Sequence, residues 1–293
     1  MRGLTTGALA LVALLPYSIL EPQPTARGVR ELTAELRAAD PAARARAACG
    51  LRELGSEAAP ALEGLLALLA DGAPVERSAC QQRWWHGEDG ELATPGELAA
   101  AALVAIGSPV VERVVAAARG PSWIARRYAA WTLGALDEAR GVPTLVELLK
   151  DTEPLVRQQA AWALGAIDHS DAVAPLLSVL KDPDPRVRRQ AAWALGAIDD
   201  PRGVTPVSAL MSDTDERTRA QAAWALGAMD GHEGVPALLR GLRDSSPRVR
   251  QQSAWALGAI GDGRALNDLM TALKDPEAGV RRQAAWAIGA IGR

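Results

Sequence analysis

The sequence predicts an all-α protein, an α-solenoid of stacked helix pairs with a 31-residue repeat. Three observations carry that expectation. Trp131, Trp162, Trp193, Trp224, Trp255 and Trp286 stand 31 residues apart, and a fixed period in the range of about 20–50 residues is the signature of a stacked-repeat architecture. Other columns keep the same register: Arg126, Arg157, Arg188, Arg219, Arg250 and Arg281 lie five residues before each Trp, and Gly134, Gly165, Gly196, Gly227, Gly258 and Gly289 lie three after. Composition agrees. Apolar residues make up 48% of the chain, Phe is absent, Tyr occurs twice, and alanine is abundant, which favours close-packed helices over sheets.

Taken in order, residues 1–24, "MRGLTTGALALVALLPYSILEPQP", join a positive start to an apolar run and a Pro-rich exit. That reads as a secretory leader, too short for a confident membrane span. It predicts an exported chain, periplasmic or extracellular, with a cytoplasmic location as the alternative and membrane contact only through an uncleaved leader. Residues 25–121 read as degenerate repeats. "DPAARARAACGLRELG" from Asp40 has the start and end of a second helix, and "SEAAPALEGLLALLADG" from Ser56 is a first helix. The following segment reads as a second helix interrupted by an inserted loop near residues 84–96, and "SPVVERVVAAARG" is another first helix. Residues 122–293 form the regular array. There the second helix of each unit starts at a cap such as Asp184-Pro185 or Ser246-Pro247. Its apolar positions Val187, Ala191, Leu195 and Ile198 recur at helical spacing, as do Val173, Leu176 and Leu180 of a first helix.

The unit "DPDPRVRRQAAWALGAID" resembles the bacterial HEAT-like repeat of the phycobilisome-lyase type, closely over 122–293 and faintly over 25–121. The resemblance implies that an Asp before the second helix and an Arg six residues later form ladders across repeats. Asp151/Arg157, Asp182/Arg188, Asp213/Arg219, Asp244/Arg250 and Asp275/Arg281 fit that spacing, whereas the unit at Trp131 departs with Gly120 at the Asp position. It also implies that the second helices line a concave surface.

The helix period places the tryptophans. With Val156 at zero and about 100° per residue, Ala160, Leu164 and Ile167 fall near 40°, 80° and 20°, and Trp162 near 240°. Each Trp therefore lies opposite the core face of its own helix. It is either a clasp between repeats, with the Gly column as its slot, or a rung of a binding surface, since an exposed apolar stripe marks an interaction site. Gln159, Gln190, Gln221, Gln252 and Gln283 lie beside it and either form an amide ladder or offer hydrogen bonds to an extended peptide. Arg127, Arg189 and Arg282 stand where they could stack on a ring.

Catalytic signals are weak. The three histidines, His86, His169 and His232, form no HExxH, and the one His-Glu pair, His232-Glu233, is too little for the di-iron site of a HEAT-like hydroxylase. Cys49 and Cys80 lack a CxxC and predict no zinc site. In an oxidising compartment they could pair, although two buried free thiols are the plainer expectation. "WWHGEDGE", residues 84–91, reads as a solvated surface loop, with a small binding loop or ion site as the alternative.

Formal net charge is −3, and the excess acid lies in residues 1–121; the array holds 21 acids and 21 bases. That balance argues against nucleic acid. The expected function is a non-catalytic scaffold, with no cofactor and no metal, binding a protein or extended peptide on a Trp-lined concave surface. The alternatives are a bilin-lyase-type enzyme or accessory protein and a metal-dependent hydroxylase, both lacking motifs. The last repeat ends without a distinct cap, for which a partly exposed Ala/Gly face is the plainer expectation and end-to-end self-association the alternative.

Overall fold

A computed structural model describes residues 28–76, 80 and 92–292. The leader and the "WWHGEDGE" stretch with His86 lie outside the described residues. Within them the chain forms the expected all-α solenoid, in which first and second helices alternate. The first helices are α1 (Val29–Glu35), α3 (Leu62–Leu68), α5 (Val111–Ala117), α7 (Val142–Leu148), α9 (Val173–Ser178), α11 (Val204–Ala209), α13 (Val235–Gly241) and α15 (Leu266–Ala272). The second helices are longer: α2 (Pro41–Glu53), α4 (Pro95–Ile106), α6 (Trp123–Ala135), α8 (Pro154–Ile167), α10 (Pro185–Ile198), α12 (Glu216–Ala228), α14 (Pro247–Ile260) and α16 (Ala278–Ile291).

Local chemistry sets the boundaries. Asp184 caps α10 by accepting from the Arg186 N–H, and Asp215 caps α12 through the Thr218 N–H. Such caps satisfy backbone donors that a helix start leaves unpaired. The chain leaves α8 and α10 through a left-handed residue, Asp168 and Asp199, with Asp137 and Asp230 alike at the ends of their units. Gly261 takes the same place after α14 at φ 75°, the conformation glycine adopts without a Cβ penalty.

The core runs along the seam between the two helix layers. Val156, Ala160 and Leu164 of α8 are fully buried, and Val173 and Leu176 of α9 meet the same core. The second helices pack closely on one another. A Cβ built on Gly165 would lie 2.6 Å from the Ala194 Cα of the next unit, and one on Gly196 would lie 2.9 Å from the Ala225 Cα. Glycine and alanine thus let second-helix backbones approach closely. First helices bury Leu and Val, which hold their axes farther apart.

Residues 28–121 are built differently. The chain enters and leaves the inserted segment through two-residue strands, β1 (Val75–Glu76) and β2 (Leu92–Ala93), paired antiparallel with Val75 opposite Ala93. Beyond β2 the described second helix, α4, starts at Pro95 and is capped by Thr94. One expectation falls. Cys49 and Cys80 are not free thiols but a disulfide, with Cα atoms 6.2 Å apart, inside the range a cystine spans. It ties α2 to the start of the insertion. Helix α4 is buried almost all round, from Pro95 to Leu103, as a helix without a polar face must be. Among the described residues, no single helix is long and apolar enough to cross a membrane.

Candidate functional site

Two periodic devices hold the second helices in register, and a groove lies over them. The first device is the arginine ladder. Arg157 donates Nε and Nη2 to the Asp182 carboxylate, at 2.7 and 2.8 Å, and Nη1 to the Asp151 carbonyl at 2.8 Å. Arg188 does the same with Asp213 and the Asp182 carbonyl, Arg219 with Asp244, and Arg250 with Asp275. Each Asp–Arg pair six residues apart is therefore joined only through the Asp backbone. The carboxylate comes from the following unit, 25 residues on. Bidentate pairs of this kind are among the stronger hydrogen bonds available to side chains.

The exception in the sequence now has its reason. Arg126 needs from its own unit only the carbonyls of Gly120 and Pro121, which it reaches at 3.1 and 3.0 Å, and takes its carboxylate from Asp151 at 2.6 Å. Glycine at 120 loses nothing for that rung. A rung that the repeat pattern did not reveal lies further back: Arg44 donates Nε to Asp71 at 2.6 Å and Nη1 to the Ala38 carbonyl at 2.7 Å. Its spacing of 27 residues hides it from a 31-residue register.

Each ladder aspartate also accepts the backbone N–H two residues on, as Asp213 does from Asp215 at 2.8 Å. Burial by itself would raise the Asp213 carboxyl. The Arg188 guanidinium and the Asp215 N–H outweigh it and hold the group below its usual range. Asp151 and Asp244 are lowered by the same balance. For Asp275 the bond from Arg250 is the largest influence, and the carboxyl is again lowered.

The second device is the tryptophan wedge. A Cβ on Gly165 would sit 2.9 Å from Cζ3 of Trp193, one on Gly196 2.9 Å from Cζ3 of Trp224, and one on Gly227 2.8 Å from Cζ3 of Trp255. Each of these indoles leans one edge back on the glycine of the preceding unit and leaves part of the ring exposed. Exposure grades along the array. Trp131 is buried at 8%, Trp162, Trp193, Trp224 and Trp255 are half-buried, and Trp286 is 44% exposed. Trp131 and Trp162 stack with centroids 6.5 Å apart and planes 9° from parallel.

Over this surface the middle units form an open groove of about 1060 Å³. Its aromatic rungs are Trp162, Trp193 and Trp224, its amides Gln158, Gln190, Gln221 and Gln252, and its cations Arg189, Arg217 and Arg248. The structure thus brings together half of the Trp column and three of its Gln partners. Trp131, Trp255, Trp286, Gln159 and Gln283 stand outside this groove. Arg217 and Arg248 were not singled out in the sequence, although a signal existed. They lie seven residues before a Trp, about 20° from it around the helix. Arg127 sits over Tyr128, 5.7 Å from the ring centroid, and not over Trp131, because the Trp131 ring is already covered.

Among the described residues, no three His, Cys, Asp or Glu side chains are grouped to hold a metal ion. His169 and His232 lie in the turns between units, His232 within 3.8 Å of Asp262. Asp262 is held down to about 2, first by the bond from the Arg264 side chain and then by the Arg264 N–H.

The geometry has relatives. Residues 111–182, 142–226, 173–245 and 235–293 match the family described as HEAT repeats. No curated protein matches the chain in sequence. Among solved structures, Escherichia coli YibA superposes with a TM-score of 0.61 at 20% identity, covering 90% of this chain and 92% of its own. Yeast importin-β (Kap95p) gives 0.65 at 16% identity, covering 89% of this chain, which spans 41% of importin. A designed armadillo repeat protein, solved with the peptide (KR)4, gives 0.50 at 20% identity over 62% of this chain and 99% of its own. At these identities the likeness is one of fold.

Proposed function

We propose that this chain, which belongs to the HEAT-repeat family, is a non-catalytic scaffold whose concave face binds an extended segment of a partner protein. The observation that carries this reading is the groove across the units of α8, α10, α12 and α14. It is open and of about 1060 Å³, at or above the upper end of small-molecule clefts. Its polar lining repeats once per unit, as a ligand with a repeating backbone would require. A glutamine amide both donates and accepts, so it can pair with either side of a peptide group. Protein and peptide binding by importin and by the designed armadillo repeat supports the same kind of partner.

The Cys49–Cys80 disulfide supports an oxidising location, and we place the protein outside the cytoplasm on that ground together with the leader-like first residues. No observation favours a lyase or hydroxylase activity.

The glutamines give a cleaner test than the tryptophans, because truncating a Trp also empties a wedge. Random peptides displayed on phage should yield binders to the full chain. Gln190→Ala together with Gln221→Ala should weaken the recovered peptides about tenfold or more, with the melting temperature unchanged. A library that yields no binder, or binders indifferent to both changes, would overturn the proposal.

A further inference from the structure

The balanced charge of the array conceals a segregation. Helices α6, α8, α10, α12, α14 and α16 together hold twelve arginines and a single acid, Glu216. The acids of the array lie in the first helices and the turns. Five of the twelve, from Arg126 to Arg250 in steps of 31, are neutralised in the ladder. Arg186 is paired with Asp184 at 2.7 Å. Arg217 and Arg248 are exposed and have no carboxylate in ion-pair distance among the described residues. Both line the groove with Arg189, and among the described residues no Asp or Glu lines it. Glu216 stands at the first position of α12, exposed and outside the lining.

We infer that the segment bound in this groove is acidic, an extended peptide whose Asp or Glu side chains reach Arg217 and Arg248 while its neighbouring side chains rest on Trp193 and Trp224. The inference rests on the groove reading above and adds the chemistry of the occupant. Charge complementarity is its basis: Arg217 and Arg248, exposed and with no carboxylate in ion-pair distance among the described residues, attract carboxylates and repel a basic segment, and like-charge juxtaposition is a strong filter against wrong partners. A single-stranded nucleic acid also combines negative charge with flat rings, but the groove suits it less well. Each indole already has an edge wedged against the preceding unit, and one Arg or two per unit is sparse for a phosphate backbone. The chain as a whole is negative at −3, so its long-range field opposes a polyanion, whereas a short acidic segment samples mainly the local arginines.

The test uses fluorescein-labelled peptides of about ten residues alternating Thr with Glu, Gln or Lys, together with an oligothymidylate of similar length. Anisotropy against the full chain should rank the Glu peptide tightest, about tenfold over the Gln peptide, with the Lys peptide weakest. Affinity for the Glu peptide should fall as salt rises. Arg217→Glu with Arg248→Glu should reverse the order of Glu and Lys, and Arg217→Gln with Arg248→Gln should erase it. Both pairs are exposed and should leave the melting temperature unchanged. Equal binding of the Glu and Gln peptides, or a preference that survives the charge reversal, would overturn the inference while leaving the groove reading standing. Tighter binding of the oligothymidylate would overturn it in favour of nucleic acid. If none of the three peptides binds, the sequences recovered from the phage library decide. Acid enrichment supports the inference, its absence overturns it, and an empty library removes the groove reading as well.

Discussion

Residues 28–121 and residues 122–292 solve the same problem, keeping short helix pairs stacked, by different means. The array repeats two small devices, an arginine that reaches one unit forward and a tryptophan that leans one unit back. Apart from the rung between Arg44 and Asp71, the N-terminal region uses devices that occur once. It has a cystine from α2 to the insertion, a nearly all-buried α4, and a hydrogen bond of 2.8 Å between Thr94 and Tyr128 that joins it to the array. Periodic devices leave a regular surface on which a repeating ligand can lie. Single devices close off an end and leave none. The comparison teaches that stacking alone does not require the Trp and Gly columns, since α4 stacks between α2 and α6 with neither.

The largest expected effect falls on the one-off side. Replacing Cys49 and Cys80 by Ser opens a loop of 31 residues and should cost about 2–4 kcal/mol. Hydrogen exchange should show the loss confined to residues 28–121. Loss spread evenly over the array would break the comparison. Next is the ladder. Asp213→Ala leaves the Arg188 guanidinium, 14% exposed against a carboxylate 7% exposed, without its partner, at a cost of about 2–3 kcal/mol in chemical denaturation. Asp71→Ala should cost a similar amount if the rung to Arg44 is the same device in the irregular region. A much smaller loss there would mark that rung as incidental.

Gly196→Ala should cost about 1–3 kcal/mol, because the added Cβ would meet the Ala225 backbone and the Trp224 ring together. Thermal melts of this variant should be compared with Gly263→Ala, where a Cβ has open space and the change should be close to neutral. The smallest effect is that of pH. The folded carboxyls of Asp151, Asp213, Asp244 and Asp275 lie below their ordinary value, which is near 3.9. Their contribution is fully present above that value and is lost as pH falls through the lowered folded values. Stability of the array should therefore be level from pH 7 to about 4 and decline below it, while the cystine, which does not titrate there, still holds residues 28–121. Asp213→Asn should flatten part of that decline.

Much of this was legible from spacing. The 31-residue register and the cap residues were enough for the solenoid, and the helix period placed Trp162 opposite its own core. What spacing could not resolve is which unit supplies each partner. In a strict repeat the Asp column lies both six residues before an Arg and 25 after it, and the Gly column both three after a Trp and 28 before it. Only an irregular unit separates the two. Gly120 does so for the ladder, because Arg126 lacks the Asp before it and still has a carboxylate at Asp151. The concentration of arginine on the second helices escaped for a different reason. A net charge is a sum over positions, and equal acids and bases cancel in it wherever they sit. Cys49 and Cys80 stand one 31-residue period apart, but they lie in the degenerate units, where the register is broken, so the spacing alone did not decide the disulfide.

The spans of the two devices have a consequence for how such a chain can change length. Arg to Asp covers 25 residues and Gly to Trp covers 28, both shorter than the 31-residue period. Removing any 31 consecutive residues from the regular array, or duplicating them, would join halves that still present an Arg to an Asp and a Gly to a Trp. The position of the cut would not matter. A gene of this kind can therefore lose or gain a whole unit through slippage between its own copies while every junction keeps its ladder rung and its wedge, and the groove would shorten or lengthen by one rung as it did so.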